Sequence, residues 1–155
     1  FFINQAFYNG ESLENNDNIL IHCNNINVGG KSWGGSMTDL IAMGNDGYSG
    51  TENYCEEMQN ISITIENENT SSTMYIFGDT EWINNEISII SISNFELGDV
   101  NFSNTLNVTD IIIIIDHITE NNLITNEHKL LLSDMDFDNS INITDIILVI
   151  DLIIE

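Results

Sequence analysis

Two stretches near the end of the chain, DVNFSNTLNVTD (99–110) and DMDFDNSINITD (134–145), decide the fold of the C-terminal region. Each places an oxygen-bearing side chain at its first, third, fifth, ninth and twelfth positions. Calcium prefers about six to eight oxygen ligands, and a twelve-residue loop with this spacing supplies them. The repeated spacing therefore predicts two calcium ions, one in each loop.

The two loops differ in the charge that they offer to a cation. The predicted ligands of the first loop, counting the backbone carbonyl at the seventh position, are Asp99, Asn101, Ser103, Thr105, Asn107 and Asp110. Those of the second loop are Asp134, Asp136, Asp138, Ser140, Asn142 and Asp145. Because the second loop holds four carboxylates and the first holds two, tighter binding is expected at the second.

Both loops have asparagine at the sixth position, Asn104 and Asn139, where such loops usually have glycine. This position needs a positive φ, and asparagine is among the residues that adopt one most readily. A chain rich in Asp and Asn also admits a simpler interpretation, in which both stretches are ordinary turns. Two loops in register, each leading into an apolar segment, favour calcium loops.

The chain is strongly acidic, with 25 Asp and Glu against only two basic residues and a net charge of −23. Such a charge repels the phosphates of nucleic acid and anionic membranes, so nucleic acid is excluded as a partner. No apolar run approaches the roughly 18–20 residues of a membrane span, so membrane insertion is excluded too. The charge also favours divalent cations as ligands, because they relieve the repulsion between carboxylates.

Residues 1–95 have the pattern of a β-domain. Period-two alternation with β-branched residues predicts strands at 17–23, 61–66, 73–78 and 86–93, with Gly- and Asn-rich turns between them. Several short strands with no helical period predict an all-β sandwich.

Residues 96–155 have a different pattern, and we expect a second domain there. Apolar segments follow the loops directly at 111–118 and 146–154, and an amphipathic segment at 123–134 begins with an N-cap candidate, Thr125 or Asn126. The predicted fold is therefore a two-domain chain, with an all-β sandwich followed by an all-α calcium module of the EF-hand type.

Paired loops ending in Asp, each followed by one helix, resemble the double calcium-loop (F-hand) module of the dockerin family over about residues 97–155. The first 95 residues resemble, more loosely, a small β-sandwich module found in secreted bacterial proteins. The resemblance implies that the twelve loop residues bind calcium, and that the helices dock onto a cohesin, which is a β-sandwich partner. It also implies an extracellular or cell-surface location.

The two helices are apolar nearly all round, whereas a surface helix needs only one apolar stripe. Ile111, Ile114, Ile115 and Ile118 are expected to face the core, as are Ile146, Val149, Ile150 and Ile153. The surplus is expected to form an interface, made of Ile112, Ile113, Ile147, Leu148 and Ile154. The alternative is that these residues pack on the chain's own β-domain.

These expectations lead to a secreted structural protein that is not an enzyme. We expect it to assemble through its calcium module, by head-to-tail self-polymerisation into a filament. One alternative is a docking module that anchors onto a separate cohesin-like scaffold. Another is a carbohydrate-binding module that uses Trp33 and Trp82, with Tyr48 and Tyr54, as a stacking platform.

The remaining candidate residues predict little chemistry. Cys23 and Cys55 are expected to form a disulfide, with two free thiols as the alternative. His22, His117 and His128 are scattered, without a pattern for zinc binding or nucleophilic catalysis. The sequence therefore predicts no catalytic residues.

Overall fold

The computed structural model describes residues 1–67 and 70–154. Within them, the N-terminal part is β-rich and three helices lie in the C-terminal part. The strands are β1 (Phe2–Tyr8), β2 (Glu11–Ser12), β3 (Asn18–Cys23), β4 (Ile26–Ser32), β5 (Thr38–Asp39), β6 (Gln59–Asn60), β7 (Ser62–Asn67), β8 (Thr70–Phe77), β9 (Glu81–Trp82) and β10 (Ile89–Ser93). The helices are α1 (Val108–Ile118), α2 (Glu127–Ser133) and α3 (Ile143–Ile154).

The main sheet follows one hydrogen-bonded path, β2-β1-β10-β8-β7-β3-β4, and β5 pairs with β1 beside it. The strand pair β1 and β10 is parallel, whereas β8 runs antiparallel to both of its neighbours. Residues 70–74 of β8 pair with β7, and residues 75–77 pair with β10. This change of partner joins the two halves of the sheet. A small second sheet contains β6 and β9.

The core of the N-terminal unit is made mainly of isoleucine on alternate strand positions. Ile19 and Ile21 of β3 and Ile63 of β7 are fully buried, and Ile90 and Ile92 of β10 join the same cluster. Period-two alternation puts these branched side chains on one face of the sheet, where they pack well. A disulfide between Cys23 and Cys55 lies within this core.

The helices begin where polar side chains cap them. Asn107 is the N-cap of α1, and its side chain accepts a hydrogen bond from the backbone N–H of Thr109. Asn126, one of the two predicted cap candidates, is the N-cap of α2. Its side-chain oxygen accepts a hydrogen bond from Lys129 N at 3.0 Å. A cap satisfies backbone donors that have no partner inside the helix. Helices α1 and α3 consequently start within their loops, three residues earlier than the apolar segments suggest.

The core of the C-terminal unit repeats along the chain. Val100 and Met135, at the second position of each loop, are buried together with Ile114 of α1 and Val149 of α3. These two pairs have the same separation as the loops themselves. The cluster also receives partly buried residues, among them Leu106 and Ile141 at the eighth position of each loop.

The structure corrects the predicted faces of the two helices. Ile113 and Leu148, expected at the exposed surface, pack against the core instead. Four residues expected in the core are exposed, namely Ile115, Ile118, Ile150 and Ile153. The physical reason is that Asp110 and Asp145 are fully buried in the first turns, so the residues three and four positions later face inward.

The contacts divide the chain into two compact units. The first contains Phe1–Tyr8 and Ser12–Asn94, and the second contains Asn9–Glu11 and Phe95–Glu155. The turn between β1 and β2 therefore groups with the helical unit, which the sequence does not predict. Among the helices of the described residues, none has both the length and the apolar composition of a membrane-spanning segment.

Candidate metal centre

The first aspartate of each loop holds the loop backbone in place. The Oδ1 atom of Asp99 accepts from Ser103 N at 2.9 Å, and its Oδ2 atom accepts from Asn104 N at 2.7 Å. In the second loop, Asp134 accepts from Asp138 N at 3.1 Å and from Asn139 N at 2.9 Å. These charge-assisted bonds bend both loops in the same way, around the first carboxylate.

The last aspartate of each loop ties the loop to its helix. Asp110, at the third position of α1, accepts from Asn101 N at 3.1 Å and from Asn107 N at 3.0 Å. The bond from Asn107 N completes a capping box with the bond that the Asn107 side chain accepts. Asp145 accepts from Met135 N at 2.7 Å and from Asn142 N at 2.8 Å. The predicted ligand at the twelfth position thus also sets the start of each helix.

Two observations show that the loop residues fit a calcium ion. In the second loop, Asp134, Asp136 and Asp138 each offer an oxygen, and these three oxygens lie within 4.8 Å of one another. Oxygens bound to one calcium ion at about 2.3–2.6 Å have separations up to about this size. In the first loop, the Oδ1 atom of Asn101 is buried without a hydrogen-bond partner. A buried acceptor of this kind requires a partner, and a cation supplies one.

The raised pKa values of two loop carboxylates also favour a bound cation. Burial raises the pKa of Asp110, and the nearby charge of Asp99 adds to the rise. Burial also raises the pKa of Asp134, and the charges of Asp145 and Asp138 contribute further. Each loop therefore gathers negative charge at a place where water solvates it poorly, and a divalent cation stabilises the ionised carboxylates there.

The backbone at the sixth position has the expected conformation. Asn104 has a φ of 57° and Asn139 has a φ of 65°, which confirms the prediction of positive φ at both positions. The fourth positions also have positive φ, 62° at Phe102 and 57° at Phe137. Aromatic residues adopt this conformation rarely, and composition gives no signal for it. The positive φ at both fourth positions is therefore a requirement of the loop geometry and not a preference of phenylalanine.

Two exposed apolar stripes lie at equivalent positions of α1 and α3. The first contains Val108, Ile112 and Ile115, and the second contains Ile143, Ile147 and Ile150. Their spacing of four and three residues places each set on one face of its helix. Ile112 and Ile147 have half of their side-chain surface exposed, at 50% and 52%, and Ile154 is exposed at the end of α3. These stripes could have been identified from the 35-residue repeat, if the aspartate that ends each loop had been assumed to be buried.

The other candidate residues lie apart from the loops. Trp33 is buried in the core of the N-terminal unit and cannot form a stacking platform, so that part of the prediction is wrong. Trp82 is half-buried. The ring of His22 is hydrogen-bonded to Thr64 Oγ1, that of His117 accepts from Ile124 N, and His128 lies beside Phe95 and Phe102.

Comparison with known proteins supports the assignment of the C-terminal unit. No curated protein and no solved structure matches the chain. Residues 97–154 match the family model of the dockerin type I domain, which covers a little over a third of the chain. Dockerin domains bind calcium and act as protein–protein interaction modules that bind cohesins. The chain therefore carries a dockerin module, which follows a β-rich region.

Proposed function

We propose that this protein is a secreted, non-enzymatic subunit of an extracellular assembly, and that its C-terminal unit docks onto a cohesin-like β-sandwich. The observation that carries the proposal is the pair of exposed stripes on α1 and α3. Monomeric proteins rarely leave such apolar surface in contact with water unless it has a partner. Dockerin modules function in extracellular assemblies, which supports the location.

Two calcium ions are proposed to prepare this surface. The twelve loop residues named above would hold them, and each ion would supply positive charge at the centre of its loop. The loop carboxylates hold the backbone by the hydrogen bonds already described, and Asp110 completes the capping box at the start of α1. Ordering of a loop therefore orders the helix that carries its stripe. Without the ions, carboxylate repulsion opposes the same structure.

The test is a binding measurement with purified type I cohesin domains, by calorimetry in calcium and in a chelator. We expect a complex in calcium that the chelator dissociates. The double substitution Ile112→Asp and Ile147→Asp is expected to abolish binding, because it places charge in both stripes. A matched control, Thr119→Asp, changes an exposed residue outside the stripes. Binding that survives the double substitution, or no binding to any cohesin, would contradict the docking proposal.

Head-to-tail self-polymerisation is the second candidate. It is favoured by the β-rich unit of the same chain, which exposes large apolar residues of its own, including Ile41 and Met58. We further propose that this unit is a sandwich, because buried isoleucines from both halves of its sheet form one cluster. Sedimentation velocity over a range of concentrations tests self-assembly. Calcium-dependent species that grow with concentration support it, whereas a monomer throughout contradicts it.

A further inference from the structure

The N-terminal unit has an open cleft of about 440 Å³ that the docking proposal does not use. One side is formed by Trp82 of β9, and another by the segment 83–88 that follows it. Its volume falls within the range of about 300–1,000 Å³ that is usual for small-molecule sites. The cleft therefore has the size to hold one or two rings of a ligand.

The ring of Trp82 is held in a fixed position. Its indole N–H donates to the carbonyl of Ala42 at 3.0 Å. The ring lies so close to Gly44 that an added Cβ there would approach its Cη2 atom to 2.2 Å. The backbone of Trp82 is held by the pairing of β9 with β6, in which Trp82 lies opposite Gln59. Because the only polar atom of the ring is already bonded, the ring offers a ligand apolar contact alone.

The rim of the cleft carries polar side chains that are not used by the fold. Asn84, Asn85 and Glu86 are exposed and line the cleft, as does Glu81. In the described part of the chain, none of these four side chains makes a hydrogen bond. Only their backbone groups are bonded, as in the bond from Asn84 N to Glu57 Oε1. Amides both donate and accept, and carboxylates accept. The rim therefore suits a ligand with many hydroxyl groups.

The charge of the cleft restricts the class of ligand further. The chain has a net charge of −23, and three carboxylates line the cleft, those of Asp39, Glu81 and Glu86. Asp39 is paired with Lys31 and the amino group of Phe1 lies in the same lining, so Glu81 and Glu86 keep the cleft negative overall. This field opposes phosphates, sulfates and acidic sugars. A neutral pyranose has a face of C–H groups that matches an aromatic ring, and a rim of hydroxyls that matches amides and carboxylates. We propose that the cleft at Trp82 binds a neutral oligosaccharide, independently of the calcium module.

The chain offers a direct optical test, because Trp33 and Trp82 are its two tryptophans. In the Trp33→Phe variant, all indole emission comes from Trp82. This variant would be titrated with hexasaccharides of β-1,4-linked glucose, xylose and mannose. A hexamer of galacturonate and a hexamer of glucosamine would serve as anionic and cationic comparisons. We expect a saturable change in emission with at least one neutral sugar, unchanged by a chelator.

Calorimetry on variants of the wild-type chain then locates the site. Trp82→Ala is expected to weaken binding about tenfold, and Asn84→Ala and Asn85→Gly about fivefold each. Glycine is chosen at position 85 because the backbone there has a φ of 64°. The two asparagine variants change exposed side chains, so they test the site even if Trp82→Ala fails to fold. Tyr48→Ala, at an exposed aromatic outside the cleft, is the matched control and should bind normally.

Three outcomes would overturn the proposal. One is the absence of saturable binding by every neutral sugar. Another is binding of the glucosamine hexamer alone, which would assign the cleft to organic cations. The third is unchanged affinity in both asparagine variants, which would place the sugar elsewhere on the chain.

Discussion

The side-chain amide of Asn126, the N-cap of α2, donates a hydrogen bond of 2.9 Å to the backbone carbonyl of Gly10. The same side chain accepts from Lys129 N through its oxygen. One residue thus starts a helix and holds a turn that lies 116 positions earlier in the chain. Phe102 packs against Gly10 at the same place, where an added Cβ would approach the ring to 3.0 Å. The loop at 99–110 and the Asn9–Glu11 turn are therefore packed together.

Substitutions of Asn126 are predicted to separate its two roles. Asn126→Ser keeps a good cap but cannot reach Gly10, and should lower the free energy of unfolding by about 1 kcal/mol. Asn126→Ala loses the cap as well, and should cost about 2 kcal/mol in total. Urea unfolding in saturating calcium measures both. Equal losses in the two variants would show that the bond to Gly10 contributes nothing.

The loops at 99–110 and 134–145 are predicted to bind calcium with unequal affinity, the second more tightly than the first. Asn101→Ala and Asp136→Ala change the third position of each loop and form a matched pair. Each should weaken its own site about tenfold or more, because even changes outside the ligand shell cost about 10–100-fold in metal affinity. Calorimetric titration of chelator-treated protein resolves the two sites. Loss of the tighter site in Asn101→Ala would reverse the assignment.

Neighbouring isoleucines of α1 are predicted to differ sharply in their effect on stability. Ile114 is fully buried, whereas Ile115 is 41% exposed. Ile114→Ala should cost about 3–4 kcal/mol, since it leaves a cavity in the core. Ile115→Ala should cost about 1 kcal/mol or less. Thermal unfolding in calcium compares them, and similar losses would refute the assigned rotation of the helix.

Acid is predicted to destabilise the C-terminal unit through His128. Burial lowers the pKa of this histidine to about 4, whereas an unfolded histidine titrates near 6.5. The folded state binds fewer protons in this range, so stability is full above pH 6.5 and falls as the pH drops from 6.5 through 4. Between pH 7 and pH 5.5 the loss attributable to His128 should be about 1 kcal/mol.

His128→Phe keeps an aromatic ring beside Phe102 but cannot take up a proton, so it is the comparison for this prediction. Carboxylates titrate in both proteins, and their effect cancels when the two stability curves are subtracted. The difference between wild type and variant should therefore change with pH in the stated direction. Parallel curves would mean that His128 titrates normally in the folded protein.

Removal of the disulfide is predicted to destabilise the N-terminal unit alone. Cys23 and Cys55 are 32 positions apart, and closing a loop of this length stabilises by about 4 kcal/mol in the chain-entropy treatment. The Cys23→Ala, Cys55→Ala double variant should therefore unfold at lower urea concentration. Its calcium affinities should equal those of the wild type. Altered affinities would contradict the prediction that the disulfide affects the N-terminal unit alone.

The two loops could be predicted from sequence because oxygen-bearing side chains recur in them at the same spacing, whereas the binding of calcium by these residues stays a prediction. Asn104 and Asn139 could be interpreted for the same reason, since few residues adopt positive φ easily. The rotation of the helices could not be predicted, because Ile114 and Ile115 are chemically identical and an almost uniform apolar segment has no clear period. The change of partner along β8 could not be predicted either, since the pairing of β8 with both β7 and β10 depends on the arrangement of the whole sheet.

The capping box at Asn107 and Asp110 has a consequence for how such a module tolerates change. An inserted residue between Asp110 and Ile111 would advance every later side chain of α1 by about 100°. Ile114 would leave the core and the exposed stripe would turn away, although no isoleucine had been replaced. Replacement of one exposed isoleucine by another apolar residue would alter much less. The distance from the last loop carboxylate to the stripe is therefore more constrained than the identity of the residues within it.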